Sequence, residues 1–341
     1  MGMLTASEIA RMANVSRSTI SRVVNDYPNV PEETRRRVLE IIHKTGYVPH
    51  QQARNLAGVQ SKVLMLYVDN CSDYYTDKIA GSSFFGPLTT YVIDAANRRG
   101  YDAIVTQSGA PHSWDRVRNL LFGRVASGVL FLGVPNKDPR IHDFDNIPRV
   151  IVDHKPFSKS DGKTKVSTVN FDNIGGMYMA VAHVKSLGRK KIGYITGNLR
   201  VHSGHERLQG FKKAMLESGL PIIEELIVPG DFSEQSGYEG TLKLLSANIP
   251  LDAILAPDDE CAIGILRVLE EKGIDVPNQI SVIGFDDIEM ARYIRPALTT
   301  VVAPKKEVAD KAVERLIELI QGKAASGTNV VIPTGFVVRS S

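Results

Sequence analysis

Residues 5–25 read TASEIARMANVSRSTISRVVN. The spacing predicts two short helices joined by a tight turn. Thr5 is placed to cap the first, with Glu8 three residues on as the reciprocal capping-box partner. Ile9, Ala10 and Ala13 form a small apolar face at helical spacing. Asn14 breaks the run, Val15 turns inward, and Ser16 caps a second helix. In that helix Ile20, Val23 and Val24 face a core, while Arg17, Ser18, Ser21 and Arg22 fall on the other side. This outer face is rich in donors and nearly free of acids. A helix N-terminus favours phosphate through its free N–H groups and dipole. Arginine at positions 17 and 22 can fork onto guanine O6 and N7 in a major groove. The layout is that of a helix-turn-helix; for this stretch alone, an ordinary amphipathic helix pair is the competing reading.

Working outward, Pro31–Lys44 (PEETRRRVLEIIHK) predicts a third helix, acids first and bases last, matching the helix dipole. Val38, Ile41 and Ile42 can close a three-helix core with Ile9, Ile20 and Val24, and Tyr47 plugs it. Arg35, Arg36 and Arg37 offer either phosphate contacts or a solvated basic face. Pro49–Gly58 (PHQQARNLAG) is a candidate short helix, too short and too polar to be stable alone in water. Its one large apolar residue, Leu56, fits a wedge inserted between base steps of a minor groove.

Beyond residue 61 the texture changes. Apolar runs at 63–68, 103–105, 128–132, 150–152, 168–169, 192–195, 254–255 and 281–283 alternate with helical stretches. Those stretches span 88–99, 114–122, 174–187, 208–218, 236–246, 261–272 and 305–321. Such alternation predicts parallel sheets with helices on both faces, and the length suits two of them. The polar connector Pro156–Lys165 (PFSKSDGKTK) marks the expected passage from one sheet to the other. Ligands of open parallel sheets bind outside the carboxyl ends of the strands. There lie Asp69, Asn70, Ser108, Asp153, Asp172, Thr196, Gly197, Asp231, Phe232, Asp258, Asp259, Asp286 and Asp287. Taken singly, each Asp reads as a turn or a helix cap. As a set, the carboxylates suit a polyhydroxyl ligand, with Phe232 to stack on a ring face and Arg207 as a bidentate clamp.

Composition narrows the class. The chain has 341 residues, 43% hydrophobic and 23% charged, which suits two or three globular domains. No apolar run reaches the ~18–20 residues of a membrane span, and the N-terminus lacks a basic-then-apolar export pattern, so the expectation is cytoplasmic. Cys71 and Cys261 lack metal-ligand spacing, so reduced thiols and no metal site are expected. Residues 1–60 hold eight Lys or Arg against five Asp or Glu, whereas the remainder is balanced at 33 each. The whole formal excess of +3 therefore sits in the head, as a nucleic-acid-binding module on a neutral body would have it.

The sequence resembles the LacI/GalR (lactose-repressor/galactose-repressor) family of bacterial transcription regulators. The head carries T-x-x-E-I-A-x-x-A-x-V-S-x-x-T-I-S-R-V-V-N at 5–25, G-Y-x-P at 46–49 and A-R-x-L-A at 53–57. In the body, R-L-x-G-F at 207–211, D-F-S-x-x-S-G-Y at 231–238, D-D-x-x-A-I-G at 258–264, G-F-D-D at 284–287 and P-x-L-T-T-V at 296–301 look like family motifs. The resemblance implies that Arg17, Ser18 and Arg22 read bases while Thr5, Ser16, Ser21 and Asn25 hold phosphates. It implies a hinge helix that folds on DNA, with Leu56 wedged into the minor groove and Ala53 beside it. It implies a body like a periplasmic sugar-binding protein. By position, Asp153, Arg207, Phe232, Asp258 and Asp286 would hold the effector.

The chain departs from the family pattern at several points. His50 follows the hinge proline where Asn is usual, and Pro31 replaces a Ser cap. Asp258 stands where Asn is common. The stretch 69–85 (DNCSDYYTDKIAGSSFF) is longer than the usual loop. No leucine heptads follow the body before Ser341, which favours a dimer over a tetramer.

Rival classes fit less well. An enzyme would be expected to show a nucleophile elbow or a dinucleotide fingerprint, and neither occurs. Gly162-Lys163-Thr164 sits in a turn-rich connector and lacks the first P-loop glycine. His202 and His205 are expected in a mobile loop near the cleft rather than on a metal. A solute-binding protein would fit the body but neither the basic head nor the missing export signal.

The expectation is an α/β protein in three parts. A helix-turn-helix head occupies 1–48 and a hinge helix 49–61. The core at 62–341 has one lobe at about 62–162 plus 292–323 and another at about 163–291 plus 324–341. It would act without a cofactor as a homodimeric, ligand-responsive repressor. Its partners would be a pseudo-palindromic DNA operator and a small effector, a carbohydrate first and a purine or nucleoside second, with no membrane.

Overall fold

Three short amphipathic helices build the head because their apolar residues recur on one face only. The computed structural model describes residues 5–24, 27–45, 47, 61–69, 81–109, 112–136, 138–155 and 166–341. Asn25, the hinge with Ala53 and Leu56, most of the loop 69–85 with Asn70 and Cys71, and the connector 156–165 lie outside the described residues. Helix α1 spans Ala6–Met12, α2 Arg17–Val24 and α3 Glu32–Thr45. The capping box at Thr5 is formed: Glu8 N donates to Thr5 Oγ1 at 3.3 Å, and Thr5 N donates to Glu8 Oε2 at 2.7 Å. Asn14 takes φ 50°, the left-handed conformation that lets the chain reverse between α1 and α2. Ser16 then caps α2, its Oγ accepting from Thr19 N at 3.1 Å. Ile9, Ala10, Ala13, Ile20, Val23, Val38 and Tyr47 form the buried core.

The body contains two six-stranded sheets. Their strands read as continuous apolar runs because helices cover both faces. The first sheet has the spatial order β11-β5-β4-β3-β1-β2 and is parallel throughout. Its strands are β1 (Val63–Val68), β2 (Asp102–Gln107), β3 (Gly128–Leu132), β4 (Arg149–Val152), β5 (Ser167–Phe171) and β11 (Asn329–Ile332). The second has the order β12-β10-β9-β8-β6-β7, parallel except that β12 runs antiparallel to β10. Its strands are β6 (Ile192–Ile195), β7 (Ile227–Val228), β8 (Ala253–Leu255), β9 (Ser281–Phe285), β10 (Thr299–Val302) and β12 (Gly335–Val337).

Among the described residues seven helices cover these sheets: α4 (Phe85–Arg98), α5 (Ser113–Phe122), α6 (Asn173–Ser186), α7 (His202–Glu217), α8 (Glu234–Ser246), α9 (Asp259–Glu271) and α10 (Lys305–Ile320). In the first sheet the period-2 alternation of side chains splits one strand between two cores. Leu64, Leu66 and Val68 of β1 join Leu88 and Val92 of α4 and Leu316 of α10 on one face. Val63, Met65 and Tyr67 join Val117 and Leu121 of α5 on the other.

The lobe boundaries differ from expectation. Residues 167–171, expected in the second lobe, pair with β4 and β11 in the first sheet. The passage between lobes therefore follows Phe171 instead of lying in 156–165. Residues 299–302, expected in the first lobe, pair with β9 in the second sheet, and 329–332, expected in the second, complete the edge of the first. The physical reason is that sheet membership follows pairing partners far away in sequence, which local periodicity does not encode. The chain thus passes between lobes three times: after β5, between β10 and α10, and between β11 and β12.

Candidate functional site

In each sheet the strand order reverses direction about its first strand, leaving a crevice at the carboxyl ends. Both crevices open on one cavity, about 970 Å³ counting its mouth. All five expected effector residues, Asp153, Arg207, Phe232, Asp258 and Asp286, line it. The first lobe supplies an apolar wall of Phe84, Phe85, Leu88, Leu132, Val152 and Phe171, and the second supplies most of the polar groups.

Arg207 organises the polar side. It projects from α7 and is 3% exposed. Its Nε donates to Asn173 Oδ1 at 2.9 Å, Nη1 to the Pro257 carbonyl at 2.5 Å and Nη2 to Asp286 Oδ1 at 3.2 Å. The guanidinium lies flat over the Phe285 ring, 3.6 Å from its centroid, so an apolar surface holds the fork in one plane. Asn173, fully buried at the start of α6, relays the network by donating to Asp153 Oδ1 at 3.0 Å. Lys305, at the start of α10, donates to the Asp286 carbonyl and lies 5.6 Å from the Phe84 ring centroid.

Backbone strain concentrates here. Asp153 (φ 55°), Phe232 (φ 75°), Asp286 (φ 110°) and Asp287 (φ 47°) all adopt positive φ. Such residues each cost about 1–3 kcal/mol and persist where surroundings over-determine them. At Asp286 the surroundings are visible: its N–H donates to the Val301 carbonyl at 2.7 Å, Lys305 holds its carbonyl, and Arg207 holds its carboxylate. Phe232 lies against the backbone of Gly197, where an added Cβ would come within 2.1 Å of the ring.

Burial dominates the electrostatics. Asp258 caps α9, its Oδ1 accepting from Cys261 N at 2.8 Å. Burial pushes its carboxyl well above the usual range, and the negative charges of Asp286 and Glu260 push it further. Burial also raises Asp286, with Arg207 and Lys305 opposing. Asp259, bonded to Ile288 N and Thr300 Oγ1, is raised to about 8, again chiefly by burial. Glu206, one residue before the clamp, is raised to about 7 by burial and then by Asp153.

Several acids at strand ends serve the fold. Asp172 caps α6 by accepting from Gly175 N at 2.8 Å. Asp231 accepts from Ser233 N and Oγ. Asp69 pairs with Arg140 at 2.9 Å. His202 and His205, expected in a mobile loop, instead open α7, where His202 is buried and reaches Glu206 at 3.4 Å. Burial lowers the His202 pKa, which weakens the charge of this pair near neutral pH. Sequence reasoning missed Asn173, Lys305, Glu260 and the Phe84–Phe85 pair. Asn173 was hidden by the misplaced lobe passage, and the phenylalanines lie at the end of the unusually long loop.

In the head, Thr5, Ser16, Arg17, Ser18 and Arg22 are exposed, and Ser21 is half-buried beside them. Arg36 and Arg37 are exposed on α3. Arg35 departs from the phosphate expectation by donating to the Tyr27 carbonyl at 2.5 Å, which ties α3 to the loop before it.

Comparison with known proteins matches residues 5–50 to "Bacterial regulatory proteins, lacI family" and residues 181–341 to "Periplasmic binding protein-like domain". The HTH-type transcriptional regulator CelR of Thermobifida fusca is 31% identical over 341 residues, covering 99% of this chain and 98% of the relative. This chain belongs to the lacI family. Among other lacI-family relatives, the ribose operon repressor of Haemophilus influenzae is 29% identical over 99% of this chain and 98% of its own. A Lac repressor dimer bound to operator and the anti-inducer ONPF superposes with a TM-score of 0.83 at 27% identity, covering 99% of both chains. A CelR–cellobiose complex gives 0.76 at 29%, again covering 99% of both. This lacI-family protein is accordingly a DNA-binding transcriptional regulator with a two-lobed ligand-binding body.

Proposed function

We propose that this protein is a cytoplasmic, homodimeric repressor of a carbohydrate-utilisation operon, with no enzymatic activity of its own. A small sugar-like effector in the inter-lobe cavity sets its affinity for a pseudo-palindromic operator. The observation that supports this reading best is the buried Asp153–Asn173–Arg207–Asp286 network, which joins both lobes through the floor of one cavity. A ligand that engages it alters how the lobes sit, and the lobes govern the spacing of the two heads. Protein two-fold symmetry is mirrored in the DNA site. On the head, Arg17, Ser18 and Arg22 read base edges in the major groove while Thr5, Ser16, Ser21 and Asn25 hold phosphates; Leu56, with Ala53 beside it, opens the minor groove at the centre. The switch is a coupling free energy of ~1–3 kcal/mol between the two sites.

The test is a gel shift with upstream DNA across a salt series, with and without candidate sugars and nucleosides. Salt-sensitive binding to a palindromic fragment, altered by one sugar, is the expected result. Absence of any such preference in every ligand state overturns the reading. Asp286→Ala should leave basal operator binding intact and abolish the effector response; an unaltered response places the effector elsewhere.

A further inference from the structure

The charge balance of the cavity is lopsided. Among the described residues, Asp69, Asp153, Asp231, Asp258, Glu260 and Asp286 line it, against the guanidinium of Arg207. Most of these acids have occupied partners. Arg140 takes Asp69, Asn173 takes Asp153, Ser233 takes Asp231, and Arg207 takes Asp286. Glu260 Oε1 accepts from Ser83 N at 3.0 Å.

Asp258 differs. It is 8% exposed, yet it lines the cavity, and the one hydrogen bond of its carboxylate among the described residues is the helix cap from Cys261 N to Oδ1. Among the described residues the second carboxylate oxygen has no donor. The field of Arg207 reaches it, and three of the five N–H groups of that guanidinium are directed to Asn173, Pro257 and Asp286 instead. The nitrogen of Lys305 is turned to the Asp286 carbonyl.

The helix does not need the charge. An asparagine caps as well as an aspartate, because either side-chain oxygen accepts the same N–H. A buried carboxylate lacking a cationic partner is costly. Burial favours the neutral form of Asp258 while no cation lies on it; an ammonium arriving from the cavity would displace that proton and offset the cost of the charge, so an acid at this point is complementary to positive charge. The aromatic wall of Phe84, Phe85 and Phe171 offers apolar faces for a ring or a carbon skeleton.

We propose that the effector carries an ammonium group that docks on the free oxygen of Asp258, making it an amino sugar or a similar amine-bearing polyol instead of a neutral sugar. This inference rests on the reading of the cavity as the effector site.

The test uses the full chain and matched probes: glucosamine with glucose, galactosamine with galactose, and the β-1,4-linked glucosamine disaccharide with cellobiose. N-acetylglucosamine serves as a neutral control. Binding is measured by calorimetric titration and by melting temperature at neutral pH, for the native protein and for Asp258→Asn, which keeps the cap. The native protein should bind at least one amine more tightly than its neutral partner. Asp258→Asn should weaken that amine on the order of tenfold or more relative to its effect on the neutral partner. Tighter binding of the neutral member, no binding by any amine, or indifference of the amine to Asp258→Asn each overturns the proposal. Operator binding is followed in the same preparations. If it persists, the regulator reading survives the loss of this inference; if no operator is bound in any state, the broader reading fails instead.

Discussion

At the scale of single residues, the cleft depends on positions that have little tolerance. Gly197 must lack a Cβ because the Phe232 ring lies on its backbone. Gly197→Ala should overpack this contact by about 1–3 kcal/mol, lower the melting temperature and displace the ring. Ligand titration should show lost cleft binding with operator binding retained; intact ligand affinity would remove Phe232 from the site. Glu206 makes a second case. Its carboxyl is raised to about 7 from an ordinary 4.5, so the folded protein holds a proton that the unfolded chain releases. The stability it contributes is therefore greatest below 4.5 and is lost as pH rises toward 7. Glu206→Gln should remove this loss. The melting-temperature difference between variant and native protein should grow in the variant's favour across that window and stay constant above it; parallel curves would refute the assignment.

At the scale of elements, the helix-turn-helix was legible because each of its determinants is local. Caps, a reversal residue and an apolar stripe all fall within the same twenty residues. Its stability is small for the same reason: one modest core serves three helices. Ile9 is fully buried at its centre, so Ile9→Ala should cost about 2–5 kcal/mol, enough to unfold the head. Such a variant should lose operator binding while the body keeps its ligand-induced rise in melting temperature. Loss of both would mean that head and body fold as one unit.

The strands of the body were legible where they are long and apolar, as at 63–68 and 128–132, which match β1 and β3 residue for residue. Those that escaped are short or polar in composition. Thr299 and Thr300 of β10 are buried only because Ser341 and Asp259 satisfy them from 41 or 42 residues away. Strand β11 is a half-exposed edge. Asp153, Phe232, Asp258 and Asp286 were legible as cleft candidates because they follow strands, whereas Arg207, inside α7, came from the R-L-x-G-F motif. Asn173 was not legible, since its importance lies in joining two neighbours distant in sequence.

At the scale of the whole molecule, direct bonds between described residues join the lobes beside the Asn173–Asp153 link. Asn136 N donates to the Arg200 carbonyl at 3.1 Å, Ser83 N donates to Glu260, and Lys305 ties the start of α10 to the strained turn at Asp286. Lys305→Met keeps the side-chain stem and removes the donor. A charged hydrogen bond contributes ~1.5–3 kcal/mol, so effector affinity should fall roughly tenfold to a hundredfold, with operator binding in the absence of ligand retained. An unchanged half-response concentration would show that this tie plays no part in the switch.

The three passages between lobes have a further effect during synthesis. Helix α10 supplies Val308, Ala312, Val313 and Leu316 to the core of the first lobe, and β11 supplies its last strand, yet both emerge from the ribosome after the second lobe is nearly finished. Until then the apolar face that α10 shares with α4 stays partly uncovered in the nascent first sheet, which is the kind of surface that chaperones bind and aggregates grow from. A ribosome stalled near residue 304 would thus hold a polypeptide with a raw hydrophobic flank, which residues 305–332 then seal.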